Sequence, residues 1–193
     1  MSENRDDYAE GWNENPDVVD YSNHAFKTLS NIKDLNTLSI LDFGCGTGLL
    51  TEKMAKAGAN VVAIDPSEKM TQVLASKKLK QVDVFTSEID EPFIEQHPSL
   101  HNAFDVIVAS SVCAFLPDFN RTLNLLRNLL KPGGLFVQWD WAPTPGEPDF
   151  GFTASMIKKA YNKAELTVLK AENAFTMGTA PDFMQVVMGV GKR

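Results

Sequence analysis

The stretch Ser39-Ile-Leu-Asp-Phe-Gly-Cys-Gly-Thr-Gly48 constrains this chain more than any other. Five residues of strand character run into three glycines at alternate positions. Leu49 to Ala57 then reads as a helix, ended by Gly58. Strand, glycine turn and helix in this order is the opening unit of a parallel α/β sheet. Glycine takes positive φ without steric penalty and lets a backbone come close to a ligand. Ligands of open α/β sheets bind at the carboxyl ends of strands, so this turn is the first place to look for a site.

The chain repeats the unit. Val61–Ile64, Val82–Phe85, Phe104–Ala109 and Leu135–Trp139 read as further strands. A second helix opens at Pro66-Ser67, with Ser67 as cap and Met70, Val73 and Leu74 as its apolar stripe. Asn120 to Leu130 carries Leu123, Leu125, Leu126, Leu129 and Leu130, a helical face. The region holding Pro92 and Pro98 reads as loop, and Lys131-Pro-Gly-Gly134 as a turn. The ending breaks the rhythm. Thr153 to Asn162 reads as a helix, but Leu166–Leu169 and Phe183–Met188 are strands with no helix between them, hence antiparallel. The expectation is an α/β, Rossmann-like, mostly parallel sheet with helices on both faces.

A length of 193 residues fits one α/β domain, with 44% hydrophobic and 22% charged residues to build its core. We read residues 1–193 as a single domain, with 1–37 an N-terminal helical cap or lid and 38–193 the Rossmann-like core.

The loop spacing is Gly-x-Gly-x-Gly. A dinucleotide fold has its last glycine one position later, where this chain has Leu49. A P-loop ends in Gly-Lys-Ser/Thr, and this one continues Gly48-Leu49-Leu50. Pyrophosphate binders are disfavoured, and a nucleoside without phosphate fits. Asp65 ends the second strand roughly 20 residues beyond Gly44, where a carboxylate accepts hydrogen bonds from ribose hydroxyls.

Composition excludes other classes. A net charge of −7 supplies no basic face for nucleic acid, and Lys77, Lys78 and Lys80 sit where a helix end favours cations anyway. Cys45 and Cys113, with His24, His97 and His101, match no metal-ligand spacing or disulfide framework. The polar start of the chain lacks the character of a signal peptide, and no run approaches about 18 apolar residues. A cytoplasmic protein without a membrane partner is expected.

Four segments together resemble the class I S-adenosylmethionine-dependent methyltransferases of the type 11 and type 12 domain group. Ile40–Gly48 is similar to the family's first motif, and Val62–Met70 to its second. Phe104–Ser111 and Leu130–Phe136 are similar to its fourth-strand and fifth-strand motifs. The resemblance implies a seven-stranded sheet whose last strand is antiparallel, and S-adenosylmethionine as cofactor. It implies cofactor-binding roles for Asp42, Gly44, Cys45, Gly46, Thr47, Gly48, Asp65, Pro66, Met70, Glu88, Ile89 and Ser110. Asp65 would hold the ribose, with Met70 near the adenine. Glu88 stands where many relatives have an aspartate for the adenine amino group. Many relatives also carry a histidine near Ala114 or Phe115; this chain does not, and no catalytic base is assigned.

The implied activity is in-line methyl transfer to a small-molecule acceptor. Its leaving group is a neutral thioether, so alignment and exclusion of water are the main tasks. Motifs for methylating bases of nucleic acid are absent. The acceptor-side residues expected are Trp139, Asp140 and Trp141 after the fifth strand, and Tyr8, Trp12 and Tyr21 ahead of the first. Two other readings stand beside this one: a non-catalytic S-adenosylmethionine-binding module, and an NAD(P)-dependent oxidoreductase, which lacks its extra loop residue here. The acceptor and the oligomeric state are not legible in the sequence.

Overall fold

The computed structural model describes residues 11–144, 146–147, 150–178 and 183–193. Its helices are α1 (Pro16–Ile32), α2 (Leu49–Lys56), α3 (Glu68–Ser76), α4 (Glu91–Gln96), α5 (Phe119–Leu129) and α6 (Ala154–Lys163). Its strands are β1 (Ser39–Phe43), β2 (Asn60–Asp65), β3 (Val82–Thr86), β4 (Phe104–Ser110), β5 (Leu130–Trp141), β6 (Thr167–Met177) and β7 (Met184–Lys192). The seven strands run in the order β3-β2-β1-β4-β5-β7-β6. The last strand is the reversed one, antiparallel to both β5 and β6. The mostly parallel sheet read from the sequence is therefore the observed one. No helix among the described residues is long and apolar enough to cross a membrane.

The chain forms two compact units, residues 1–96 and 97–193. In the first, β1 pairs in parallel with β2 from Ser39 opposite Asn60 to Phe43 opposite Ile64. β2 pairs in the same sense with β3. Ile40, Leu41, Val61, Ala63 and Ile64 are buried, together with Leu50 and Met54 of α2 and Met70 and Leu74 of α3. A strand buried on both faces is expected of a parallel sheet covered by helices. α1 buries Tyr21, Ala25 and Leu29, positions four apart on one helical face, and packs on α2. Asn15 caps it by accepting the Asp17 amide, with Pro16 at the first helical position.

In the second unit, β4 pairs in parallel with β5, and β5 pairs antiparallel with β7. Val106, Ile107, Val108, Phe136, Val137 and Trp139 are fully enclosed. Leu123, Leu126 and Leu129 of α5 and Ile157 and Tyr161 of α6 join them. The leucine face foreseen from Asn120 to Leu130 is thus the core face of α5.

Two local expectations change. The region around Pro92 contains the helix α4, because Asp90 accepts the Phe93 amide and proline is tolerated in a first turn. Lys131–Gly134 is an irregular start of β5 rather than a turn before it. The ladder passes from Phe104 opposite Leu130 to Val106 opposite Leu135, so the extra residues bulge out. At Gly134 a side chain would press on the Lys131 and Phe104 carbonyls.

Candidate cofactor and acceptor sites

The glycine loop is built from main-chain hydrogen bonds. The Gly44 and Cys45 amides both donate to the Ile64 carbonyl, at 2.8 and 3.1 Å, which ties the loop to the end of β2. Gly44, Gly46 and Gly48 all have positive φ. Two of these glycines serve different ends. At Gly48 a Cβ would collide with the Leu74 side chain, so the glycine admits α3. At Gly46 a Cβ would meet nothing within 4 Å, so open space lies in front of the backbone.

Asp65 organises this end of the sheet. Its Oδ2 accepts the Gly46 amide at 3.0 Å and its Oδ1 accepts the Ser67 amide at 2.9 Å. Ser67 in turn caps α3 through the Met70 amide. The Ser87 amide donates to the Asp65 carbonyl, which brings the segment after β3 alongside. The first unit therefore gathers Gly44–Gly48, Asp65, Pro66 and Ser87–Ile89 at the carboxyl ends of β1, β2 and β3. Met70 is buried, Glu88 is exposed and Ile89 is buried.

Asp42, near the end of β1, is 1% exposed, against 3% for Asp65. It is buried and accepts the Thr51 hydroxyl at 2.5 Å. Burial lifts its carboxyl to about 7; the Thr51 bond opposes this and the nearby Asp65 charge adds to it. Burial likewise pushes the Cys45 thiol up, so it is no nucleophile. Thr47 donates its buried hydroxyl to Asn13 at 2.6 Å. Asn13 belongs to a short 3-10 turn, Trp12–Glu14, which this bond ties to the loop.

The residues present fit a nucleoside cofactor. Each Asp65 oxygen spends one lone pair on an amide and keeps one for a ribose hydroxyl. The space at Gly46 admits a close approach. Among the described residues no basic group stands in the loop to receive a phosphate, and Leu49 and Leu50 follow it directly.

The acceptor-side residues fall in different settings. Tyr8 lies outside the described residues. Trp12 is half-buried and Tyr21 is buried in the inward face of α1. In the second unit Trp139 is enclosed completely, Asp140 is 1% exposed and Trp141 is half-buried. Ser110 ends β4 half-buried, and the next amide, Ser111, donates to the Trp139 carbonyl at 2.7 Å. Asp140 accepts the Ala114 amide at 3.3 Å and the Gln138 amide group at 2.8 Å. Desolvation raises its carboxyl to about 7, against the pull of Gln138, Ala114 and Cys113.

Sequence reasoning missed Asn13, Thr51 and Gln138. Asn13 and Thr51 carry no pattern of their own. Gln138 did: it is the one amide inside the apolar run Leu135-Phe-Val-Gln-Trp139.

Comparison with known proteins bears on the family and the fold. The model of a methyltransferase domain family matches residues 41–136. A ubiquinone biosynthesis O-methyltransferase from Xanthomonas oryzae is 36% identical over 104 residues, covering 52% of this chain and 42% of that protein. The match thus spans less than half the length of that relative. Among solved structures, the 1,6-didemethyltoxoflavin-N1-methyltransferase of Burkholderia thailandensis, with S-adenosylhomocysteine bound, superposes with a TM-score of 0.73. It is 16% identical, and the alignment covers 98% of this chain and 86% of that one. An S-adenosylmethionine-dependent methyltransferase from Aquifex aeolicus gives a TM-score of 0.67 at 21% identity, over 85% and 87% of the chains.

Proposed function

Because this chain belongs to the class I S-adenosylmethionine-dependent methyltransferases, we propose that it transfers a methyl group from S-adenosylmethionine to a small-molecule acceptor. The observation that carries the reading is the arrangement of Asp65 against Gly46: a carboxylate with two lone pairs left, facing a glycine with open space before it. Matching relatives named as O- and N-methyltransferases support it.

When bound, the cofactor supplies a methyl group activated on a sulfonium. The chain's own work is placement. Asp65 takes the ribose, Gly44–Gly48 give the backbone surface on which the nucleoside rests, and Pro66, Met70 and Ile89 border the base. Glu88, exposed beside Ile89, receives the exocyclic amine. Asp42 and Cys45 keep the loop in shape from beneath. Ser110, at the end of β4 in the second unit, is assigned to the cofactor on the family resemblance. The segment holding Trp12 and Asn13 acts as a lid on the loop, anchored through Thr47. A lid excludes water and completes alignment, which is most of what methyl transfer asks of a protein. Trp12 of the first unit and Trp141 of the second are assigned to the acceptor; Tyr8, assigned with them, lies outside the described residues. Tyr21 and Trp139 support from within. Residues 1–193 act as one methyltransferase domain, in the reducing cytoplasm; both cysteines are free thiols.

S-adenosylhomocysteine is the test ligand. At a hundredfold excess over Kd it should stabilise the protein by roughly 2.7 kcal/mol, a shift of several degrees in Tm. Asp65→Ala should abolish most of that shift. No stabilisation of the wild type at millimolar ligand would overturn the proposal. Incubation with labelled methyl donor and a fractionated metabolite extract then identifies the acceptor, and binding without any turnover would leave a cofactor-binding module instead.

A further inference from the structure

Inside the second unit a set of polar side chains is sealed from solvent and is not used by the placement just described. Gln138 and Asp140 point to one face of β5, two residues apart. Asp140 fastens the 3-10 turn Cys113–Phe115, which follows the carboxyl end of β4. Cys113 of that turn also favours the charged form of that carboxyl. On the same face, Gln138 stands directly opposite Gly189 of β7. Gly189 has no side chain, and the Tyr161 hydroxyl of α6 occupies that gap: a Cβ at Gly189 would lie 2.6 Å from the Tyr161 oxygen. The Tyr161 ring is held edge-on against Phe136, with centroids 5.7 Å apart.

Two atoms in this set are orphans. The Tyr161 hydroxyl and the Gln138 carboxamide oxygen are both fully buried, with no hydrogen-bond partner among the described residues. An unpaired buried polar atom costs far more than a paired one gains, so two of them on one face are not left by accident. They are complementary: a hydroxyl that can donate, and an oxygen that can only accept. The two atoms make no direct bond with each other, and one enclosed water can bridge a buried donor and acceptor of this kind.

We propose that Tyr161 is a positioning residue. Its hydroxyl, through one internal water, fixes the Gln138 amide. Gln138 then presents its NH2 to Asp140, and Asp140 holds the Cys113–Phe115 turn. The chain of contacts runs from α6 across β7 and β5 to the turn beyond β4, where Phe115 is 43% exposed and packs edge-on to Phe150 at 5.3 Å. The turn stands where open α/β sheets receive their ligands. Its bearing on the acceptor rests on the proposed methyl transfer; the relay itself does not, and the experiment reads the chain alone.

Tyr161→Phe keeps the ring and removes the hydroxyl. The Asp140 carboxyl is followed by carbon NMR during a pH titration, and the Ala114 amide by hydrogen exchange. Tyr161→Phe should release Gln138 and move the Asp140 midpoint up by roughly half a pH unit, the worth of part of a hydrogen bond. Ala114 exchange should quicken about tenfold while Val137, in the middle of β5, stays protected. Gln138→Met, similar in volume, should move Asp140 in the same direction, and adding Tyr161→Phe to it should move it no further. An unchanged Asp140 midpoint, additive shifts in the double variant, or exchange that quickens equally at Val137 would overturn the relay. Two titratable groups that feel the Asp140 charge, the Cys113 thiol and the Tyr161 hydroxyl, are both pushed well above their usual ranges and do not titrate in the window.

Discussion

The glycine loop and the Asp140 cluster each set a carboxylate at the end of a strand, and they use it in opposite ways. The Asp65 carboxylate, 3% exposed, bonds among the described residues to the main-chain amides of Gly46 and Ser67, and a Cβ at Gly46 would meet open space. Asp140 bonds to a side-chain amide and a turn, with Gln138, Cys113 and Tyr161 around it, all enclosed. The first arrangement has capacity left for a ligand. The second holds its own structure in place. A strand-terminal acid is therefore not a site by position alone; what decides is whether its remaining lone pairs meet open space.

Acidity gives the largest lever on this contrast. Asp42, beneath the loop, and Asp140 both have carboxyls raised to about 7 by burial. A raised carboxyl means that the folded state binds its proton more tightly than the unfolded chain. Stability contributed by that proton is full below about pH 4 and is lost as pH rises towards 7. The bound for each group is roughly 4 kcal/mol. Unfolding free energies measured in urea at pH 5 and pH 8 should therefore be lower at pH 8. Asp140→Asn and Asp42→Asn, neutral at both values, should each remove part of the drop. A wild type that is more stable at pH 8 than at pH 5 would show that these carboxyls are ionised without cost, and the contrast between the two regions would shrink to geometry.

The second lever separates two of the loop's three glycines, Gly46 and Gly48. Gly48→Ala forces a left-handed residue into the Leu74 side chain, and strain plus overpacking should cost about 3 kcal/mol of stability. The check is the urea midpoint at constant slope. A loss below about 1 kcal/mol would mean that Leu74 swings aside, and that the loop is less tied to α3 than its packing implies.

Much of the first unit was legible because its features are local. Strand, Gly-x-Gly-x-Gly, helix and a strand-terminal aspartate lie within 27 residues, Ser39 to Asp65, and each has its own short-range cause. The hydrogen bond that joins them, Gly46 to Asp65, follows once β1 and β2 pair in register. The second unit was legible only as far as its periodicity. Its leucine face and its antiparallel ending were readable. The relay was not, because Tyr161, Gln138, Gly189 and Asp140 meet across three elements, and nothing in their spacing marks the meeting. Trp139 illustrates the cost. From sequence it was an aromatic beside an acid and thus an acceptor-side residue; β5, buried on both faces from Leu135 to Asp140, encloses it fully. Asn13 escaped for a different reason: a lone asparagine in a polar segment carries no signal until a tertiary hydrogen bond selects it.

If the space at Gly46 is ligand space, then filling it should harm binding far more than folding. Gly46→Ala has a φ of +53 to bear, a cost of about 1 kcal/mol, with no atom to strike. S-adenosylhomocysteine affinity should fall at least about tenfold, equivalent to roughly 1.4 kcal/mol, by titration calorimetry. Read beside Gly48→Ala, this divides the loop into a residue that serves the fold and one that serves the ligand. Equal loss of stability in both variants, with affinity unchanged in Gly46→Ala, would remove the open face from the comparison and leave the loop as structure only.

The smallest effect expected is at Asn13, and it tests whether the short turn ahead of α1 is a lid or only the start of the chain's packing. Thr47 donates to Asn13 from a buried position, so Asn13→Ala leaves that hydroxyl without its acceptor. A net neutral hydrogen bond is worth about 1 kcal/mol, and less at a half-exposed partner, so a roughly threefold loss of S-adenosylhomocysteine affinity is expected. If the turn closes over the ligand, the loss should lie in faster dissociation, measured by stopped-flow competition, with association unchanged. Asn15→Ala is the control, because Asn15 caps α1 through the Asp17 amide and has no bond to the loop. It should lower stability and leave dissociation alone. Should the two variants behave alike, the turn reaches the ligand only through the stability of α1, and the open face of the loop has no cover from this segment.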